Sequence, residues 1–324
     1  MCRLRTDFSG KLGGIKDPMK LEDIASKIAL PYFFTAGALK VASANTLTRA
    51  AYRMVGRLKQ STPCDVSLES ALWCMDGLPP HRQRLLDLGT GWIHTYTLFP
   101  ALLRDDEFHC FDVADIRKWP CFQATLPIIF DQISDWLPAD EIDRRNTAST
   151  RFEKLRNATS FAEAYQVINL TYQCRSDGIP DYPADYFDRI YSVDVLEHVD
   201  ANLFPAAART WFRILKPGGE FRAQVGIDDH LAHYQGRYGS KRYLRYSEKL
   251  WKGLLENEVQ YVNRLTKSQL IDNLAQVGFI IDDIETDLAG EVSPAEVHPD
   301  YRWQCEEDIR AVRLCVKAHK PHPG

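Results

Sequence analysis

The run Arg84-Leu-Leu-Asp-Leu-Gly-Thr-Gly-Trp-Ile-His94 carries an apolar stretch into a turn pinned by Gly89 and Gly91, with Thr90 between them and Asp87 just upstream. Glycine lacks a Cβ and tolerates positive φ, so backbone at such a turn can approach a ligand closely. Roughly 20 residues further on, Asp112 closes a second apolar run, Glu107-Phe-His-Cys-Phe-Asp112, at the spacing where a carboxylate meets ribose hydroxyls. A charged acceptor makes those hydrogen bonds about twice as strong as a neutral one. Asp115 is the alternative if the second strand runs longer. Proton chemistry near neutral pH points to histidine, and three are candidates: His198 in Leu196-Glu-His-Val199, and His230 and His233 in Asp228-Asp-His-Leu-Ala-His233. Asp228 and Asp229 could orient His230 or raise its pKa, or could instead bind a metal with a substrate diol. Two acids and two histidines without further ligands are too few, and no metal is expected.

These residues need a scaffold that brings strand tips together. From Arg84 onward short apolar runs alternate with helical spacing, the pattern of a doubly wound parallel sheet. Strands are expected at 84–88, 107–111, 167–173, 189–193, 220–225, 279–284 and 311–316. The fold class is therefore α/β, a Rossmann-like, seven-stranded, mostly parallel sheet with helices on both faces. In such sheets ligands bind beyond the carboxyl ends of the strands. Residues 1–80 show helical spacing instead (Leu21, Ile24, Ile28; Leu39, Val41, Leu47, Ala51, Met54, Val55), broken by Pro79-Pro80, and read as an N-terminal helical cap ahead of a domain at 81–320. Two further stretches, about 119–160 and 227–266, exceed a minimal core and read as helical insertions shaping a substrate pocket.

The bulk composition narrows the class of partner. With 45% hydrophobic residues in 324, the chain can bury a substantial core. A net charge of -4 without a long basic run argues against nucleic acid and against an anionic membrane surface. The eight cysteines form no C-x-x-C pair, which suits a reducing, cytoplasmic setting. The most apolar early stretch, Ile28 to Ala42, is broken by Pro31 and Lys40 and falls short of the roughly 18 residues a span requires. A small-molecule partner is expected, with a homodimer allowed.

The dinucleotide fingerprint G-x-G-x-x-G requires a third glycine where this chain has His94. What remains, Asp87-x-Gly89-Thr90-Gly91, resembles the first motif of class I S-adenosyl-L-methionine (SAM) dependent methyltransferases. A longer block, Asp177-Gly-Ile-Pro-Asp-Tyr-Pro-Ala-Asp-Tyr-Phe-Asp-Arg-Ile-Tyr-Ser-Val-Asp-Val-Leu-Glu-His-Val199, is similar to the same family over its third and fourth strands, and Leu215-Lys-Pro-Gly-Gly219 to the turn before its fifth. The resemblance covers about residues 84–225, with the Leu-Glu-His-Val form and a weaker likeness to bacterial small-molecule or sugar-modifying members.

That resemblance implies SAM as cofactor. Asp87, Gly89, Thr90 and Gly91 would lie at its amino-acid end, Asp112 and Val113 at the ribose, Asp177 and Gly178 at the adenine amine, and Asp194 and Val195 past the fourth strand. It implies methyl transfer to a small molecule, with oxygen the expected nucleophile and His198, His230 or His233 the candidate base. The Tyr- and Arg-rich segment 234–245, with Asn263 and Arg264, would cover the pocket. Two other readings share parts of this pattern. A nicotinamide-dependent oxidoreductase shares the glycine turn and Asp112, yet no Tyr-x-x-x-Lys follows the fourth strand. A non-catalytic SAM-binding protein would keep Asp112 and Asp177 without a base.

Overall fold

The computed structural model describes residues 32–44, 66–233, 240–257, 261–289, 296–302 and 304–323. Most of the expected N-terminal cap, including Leu21, Ile24, Ile28 and Leu47 to Val55, lies outside the described residues, as does the stretch 234–239. Within them the strands are β1 (Arg84–Leu88), β2 (Glu107–Asp112), β3 (Leu170–Cys174), β4 (Phe187–Val193), β5 (Leu215–Gly226), β6 (Ile280–Leu288) and β7 (Ala311–His319). The helices are α1 (Tyr32–Ala44), α2 (Leu68–Met75), α3 (Thr95–Leu103), α4 (Trp119–Trp136), α5 (Ile142–Asn157), α6 (Phe161–Val167), α7 (Phe204–Ile214), α8 (Lys267–Gln276) and α9 (Glu306–Arg310). Shorter helical turns occur between β5 and α8.

The strands form one sheet in the order β3-β2-β1-β4-β5-β7-β6. Neighbours from β3 to β5 pair in parallel, whereas β7 runs antiparallel to both β5 and β6. The order reverses between β1 and β4, so a crevice opens at their carboxyl ends, where open α/β sheets bind ligands.

Side-chain alternation explains how the sheet is covered. In β1, Leu85 faces a core shared with α2, α3 and α4, while Leu86 and Leu88 face the core under α7 and α8. All three are buried, as parallel strands covered on both faces require. Helices α4 and α5, from the first expected insertion, add Phe122, Leu126, Ile129, Ile133 and Leu155 to the first core. The second expected insertion gathers Leu231, Tyr243, Leu244, Trp251 and Leu255 into a separate small cluster with Ala36, Val297 and Tyr301.

Helix α2, which the sequence places in the N-terminal extension, sits on the first core through Ala71 and Cys74. Two buried arginines on adjacent strands bind its carboxyl end. Arg189 Nη1 donates to the carbonyls of Cys74 and Asp76 at 2.9 Å each, and Arg222 Nη1 donates to that of Trp73 at 2.6 Å. Both also pair with Glu220. Cations at a helix carboxyl end meet its negative dipole. Among the described residues no helix is long and apolar enough to cross a membrane.

The third strand departs from expectation. Val167 ends α6 and β3 starts only at Leu170, because Asn169 at φ +51 turns the chain between them. An asparagine tolerates that left-handed conformation.

Candidate functional site: three strand tips and a histidine-stapled turn

The turn after β1 is built as the glycines require. Gly89 has φ +72, and a methyl there would overlap both Val195 γ-carbons, so only glycine fits beneath that side chain. Gly91 has φ +68 and faces open space. Its amide donates to Asp112 Oδ2 at 3.1 Å, while Asp112 Oδ1 accepts from the Val113 amide at 2.8 Å. Burial pushes the Asp112 carboxyl above its ordinary value, and the amides of Gly91, Ala114 and Val113 pull it back. The carboxylate thus fixes the spacing between the tips of β1 and β2.

Asp87 works beneath the loop rather than at its surface. Its side chain is buried and accepts from Thr97 Oγ1 at 2.9 Å, and Thr97 also shares a 2.9 Å hydrogen bond with the Tyr191 hydroxyl. Burial raises its pKa to about 7, partly offset by the hydroxyls of Thr97 and Thr90. Asp87 therefore ties β1 and β4 to the first turn of α3 under the glycines.

His94 stands where a third glycine would stand and adopts the left-handed conformation that glycine would supply, φ 57. Its fully buried ring compensates. Nδ1 lies 2.7 Å from Thr90 Oγ1, and Nε2 lies 2.6 Å from the Tyr165 hydroxyl on α6. Arg117 Nη1 donates to that same phenol oxygen at 3.2 Å. Burial first, and Arg117 second, lower the His94 pKa to about 3, so the ring is neutral. Its place in the turn was legible as a missing glycine. Its partner Tyr165, 71 positions away, was not.

The third tip closes over the second. The Arg175 amide donates to the Asp112 carbonyl at 3.0 Å, and a methyl on Gly178 would lie 3.9 Å from Val113 Cγ1. Val113 and Ile179 are 53% and 46% exposed, an apolar pair beside a small residue. Asp177 is exposed, pairs with Arg175 at 2.7 Å and accepts from the Ile179 amide at 3.0 Å, which together hold its carboxyl below the usual range.

Beyond β4, Asp194 is exposed at φ +54 and donates its amide to the Gln224 carbonyl at 2.9 Å, while Val195 covers Gly89. Leu196–His198 form a 3-10 turn. Asn263 Nδ2 donates to the carbonyls of Leu196 and Val199 at 2.8 and 2.9 Å, stapling that turn, and Asn263 and Arg264 both line a cavity with Tyr243, Glu248 and Tyr301. Arg264 likewise engages Glu248 and Tyr301. His198 is exposed, with Nδ1 donating to the Tyr261 carbonyl at 2.6 Å, and its ring lies 5.1 Å from that of His230. His233 ends the short turn His230–His233, and its side chain lies outside the described residues.

Glu197 is a site residue that the sequence motifs did not single out. It is buried, its pKa is raised to about 8, chiefly by that burial, and its Oε1 lies 3.4 Å from the Gly226 amide. The signal for it was Gly226, a small residue at the tip of β5 that leaves room for a carboxylate.

A family model described as a methyltransferase domain matches residues 146–223, a stretch that runs from within α5 through β3, β4 and α7 into β5. The likeness to that family model is confined to this stretch, which holds Asp177, Asp194, Glu197 and His198. No curated protein matches the chain. Similar solved structures include an S-adenosylmethionine dependent methyltransferase from Mesorhizobium loti, 17% identical, covering 77% of this chain and 98% of that one with a TM-score of 0.42. Phosphoethanolamine N-methyltransferase 2 from Haemonchus contortus is 16% identical, with 79% and 53% of the two chains covered and a TM-score of 0.45. Geranyl diphosphate C-methyltransferase from Streptomyces coelicolor is 10% identical, with 78% of each chain covered and a TM-score of 0.44.

Proposed function

We propose that this protein is a SAM-dependent methyltransferase that delivers the methyl group to an oxygen of a small molecule, such as a natural product or a sugar. The observation that carries the reading is the convergence of three strand tips on Asp112: Gly91 and Val113 on its carboxylate, and Arg175 on its carbonyl. The residues suit the cofactor. Open backbone at Gly91 fits its amino-acid end, Asp112 retains acceptor capacity for ribose hydroxyls, and Val113 and Ile179 give an apolar bed beside Gly178 for adenine. Asp194 and Val195 border the same crevice.

When bound, SAM supplies an electrophilic methyl whose leaving group is a neutral thioether. What the chain contributes is mainly alignment of the acceptor at near-attack distance. A hydroxyl acceptor must also lose a proton. His198 is suited to take it, because Nδ1–H is committed to the Tyr261 carbonyl and the other ring nitrogen is left as acceptor. His230 adjoins it, and His233 is the further candidate from the same motif.

Calorimetric titration with SAM, S-adenosylhomocysteine and NAD tests the reading. Micromolar binding of both sulfur compounds and none of NAD is expected, while binding of NAD alone would overturn it. Binding without turnover over a broad acceptor panel would leave a non-catalytic SAM-binding protein. Asp112→Ala is expected to weaken SAM by about 1.5–3 kcal/mol, the scale of a lost charged hydrogen bond. Unchanged affinity would mean that another carboxylate holds the ribose. Asp177→Ala should weaken SAM less, because that carboxylate is exposed and already shared with Arg175.

A further inference from the structure

We propose that Glu197, His198 and His230, with Asp228 beside them, form a binding site for one divalent transition-metal ion at the tips of β4 and β5. The ligand-type atoms of Glu197, His198 and His230 all lie within 4.8 Å of one another. Zinc-class bonds to nitrogen and oxygen are about 2.0–2.2 Å long, so modest side-chain rotation brings the three around a single ion.

Three independent observations point the same way. First, the Glu197 side chain is 3% exposed, and its Oε2 is buried with no hydrogen-bond partner among the described residues. A carboxyl oxygen without a partner at that depth is costly, and the group meets that cost by holding a proton or by binding a cation in the proton's place. Second, the bond from His198 Nδ1 to the Tyr261 carbonyl is the outer support that metal-bound histidines use: it fixes the tautomer and leaves Nε2 as a lone-pair donor. Third, the groups converge on a residue without a side chain. A methyl on Gly226 would sit 3.2 Å from Glu197 Oε1, 3.7 Å from Asp228 Oδ1 and 3.9 Å from His230 Nε2.

The donor set selects the ion. Two imidazoles with carboxylate suit zinc, cobalt, nickel, manganese or ferrous iron rather than magnesium or calcium, which prefer all-oxygen shells. Sequence spacing alone offers only Asp228, Asp229, His230 and His233. The fold adds Glu197 and His198 from the turn after β4, which changes the count of ligands. If the methyltransferase reading holds, the ion would take the place of His198 as the proton-removing device: with Nε2 serving as ligand and not as base, an acceptor hydroxyl bound to the ion would ionise more readily, its proton passing to solvent and its oxygen becoming the nucleophile.

The test is titration of the tag-free, EDTA-stripped full chain with Co²⁺, followed by visible d–d absorption and, for Zn²⁺, by calorimetry. One equivalent per chain should bind. His230→Ala and Glu197→Gln should each lower affinity by at least the roughly 10–100-fold that loss of even an outer-shell partner causes. His319→Ala, whose histidine pairs with Asp282 and lies opposite Glu220 at the start of the β5–β7 ladder, should leave binding unchanged. Absence of stoichiometric binding overturns the proposal, as does binding that survives His230→Ala, a partly exposed position whose replacement leaves the core intact. SAM affinity measured with EDTA present is a separate readout, so loss of either result leaves the other standing.

Discussion

Replacing Asp87 and His94 one at a time should tilt the pH dependence of stability in opposite directions. Asp87 has a folded pKa of about 7 against an ordinary 3.8, so the folded protein holds a proton that the unfolded chain releases between those values. Its contribution is full below 3.8 and is lost as pH rises to about 7. His94 has a folded pKa of about 3 against 6.5, so its contribution is full above 6.5 and is lost as pH falls towards 3. Between about 4 and 6.5 the two slopes oppose each other at about 1.4 kcal/mol per pH unit each, so together they cancel. Asp87→Asn leaves the histidine alone: relative to the parent, the protein should lose about 3–4 kcal/mol on acidification across that window. His94→Asn, which keeps a residue tolerant of positive φ, should instead lose stability as pH rises. Urea melts from pH 4 to 7.5 measure both. Variant curves running parallel to the parent's would mean that neither group is buried in the state assigned.

Gly89→Ala should cost about 2–5 kcal/mol of stability, combining about 1–2 for an L-residue held at left-handed φ with about 1–3 for overpacking. The overlap is specific: the added methyl meets both Val195 γ-carbons. Adding Val195→Ala to Gly89→Ala should recover the overpacking portion and leave the conformational one. SAM binding should follow stability only in part, because Val195 is itself a proposed cofactor contact. A double variant no better than Gly89→Ala would show that the turn fails through its backbone alone. Full tolerance of the single change would mean that β1 and the β4 tip are not packed as described.

These two predictions draw on what the sequence made legible and what it hid. The strand β1 and its glycine turn were readable because a short apolar run leads directly into glycines at fixed offsets. Asp112 was readable for the same reason of spacing. The start of β3 was not, since the apolar residues of α6 run directly into those of the strand, and only the left-handed Asn169 separates them. At the site, Glu197 escaped because its burial depends on Gly226, 29 positions later. Asn263 was expected at a pocket from composition and does line a cavity, but nothing in the sequence told that its amide serves the backbone of a turn 64 and 67 positions away. Local pattern reveals elements and turn chemistry. Contacts between distant tips require the topology.

The reversed strand β7 lies between β5 and β6 although it comes last in the chain. During synthesis on the ribosome, β6 therefore emerges before β7, its one strand partner among the described residues, has been made. Chain translated as far as Arg310 would carry β6 as an unpaired ribbon beside an uncovered β5 edge, the kind of exposed edge that invites wrong pairing. Stopping there removes two strands from the sheet rather than one.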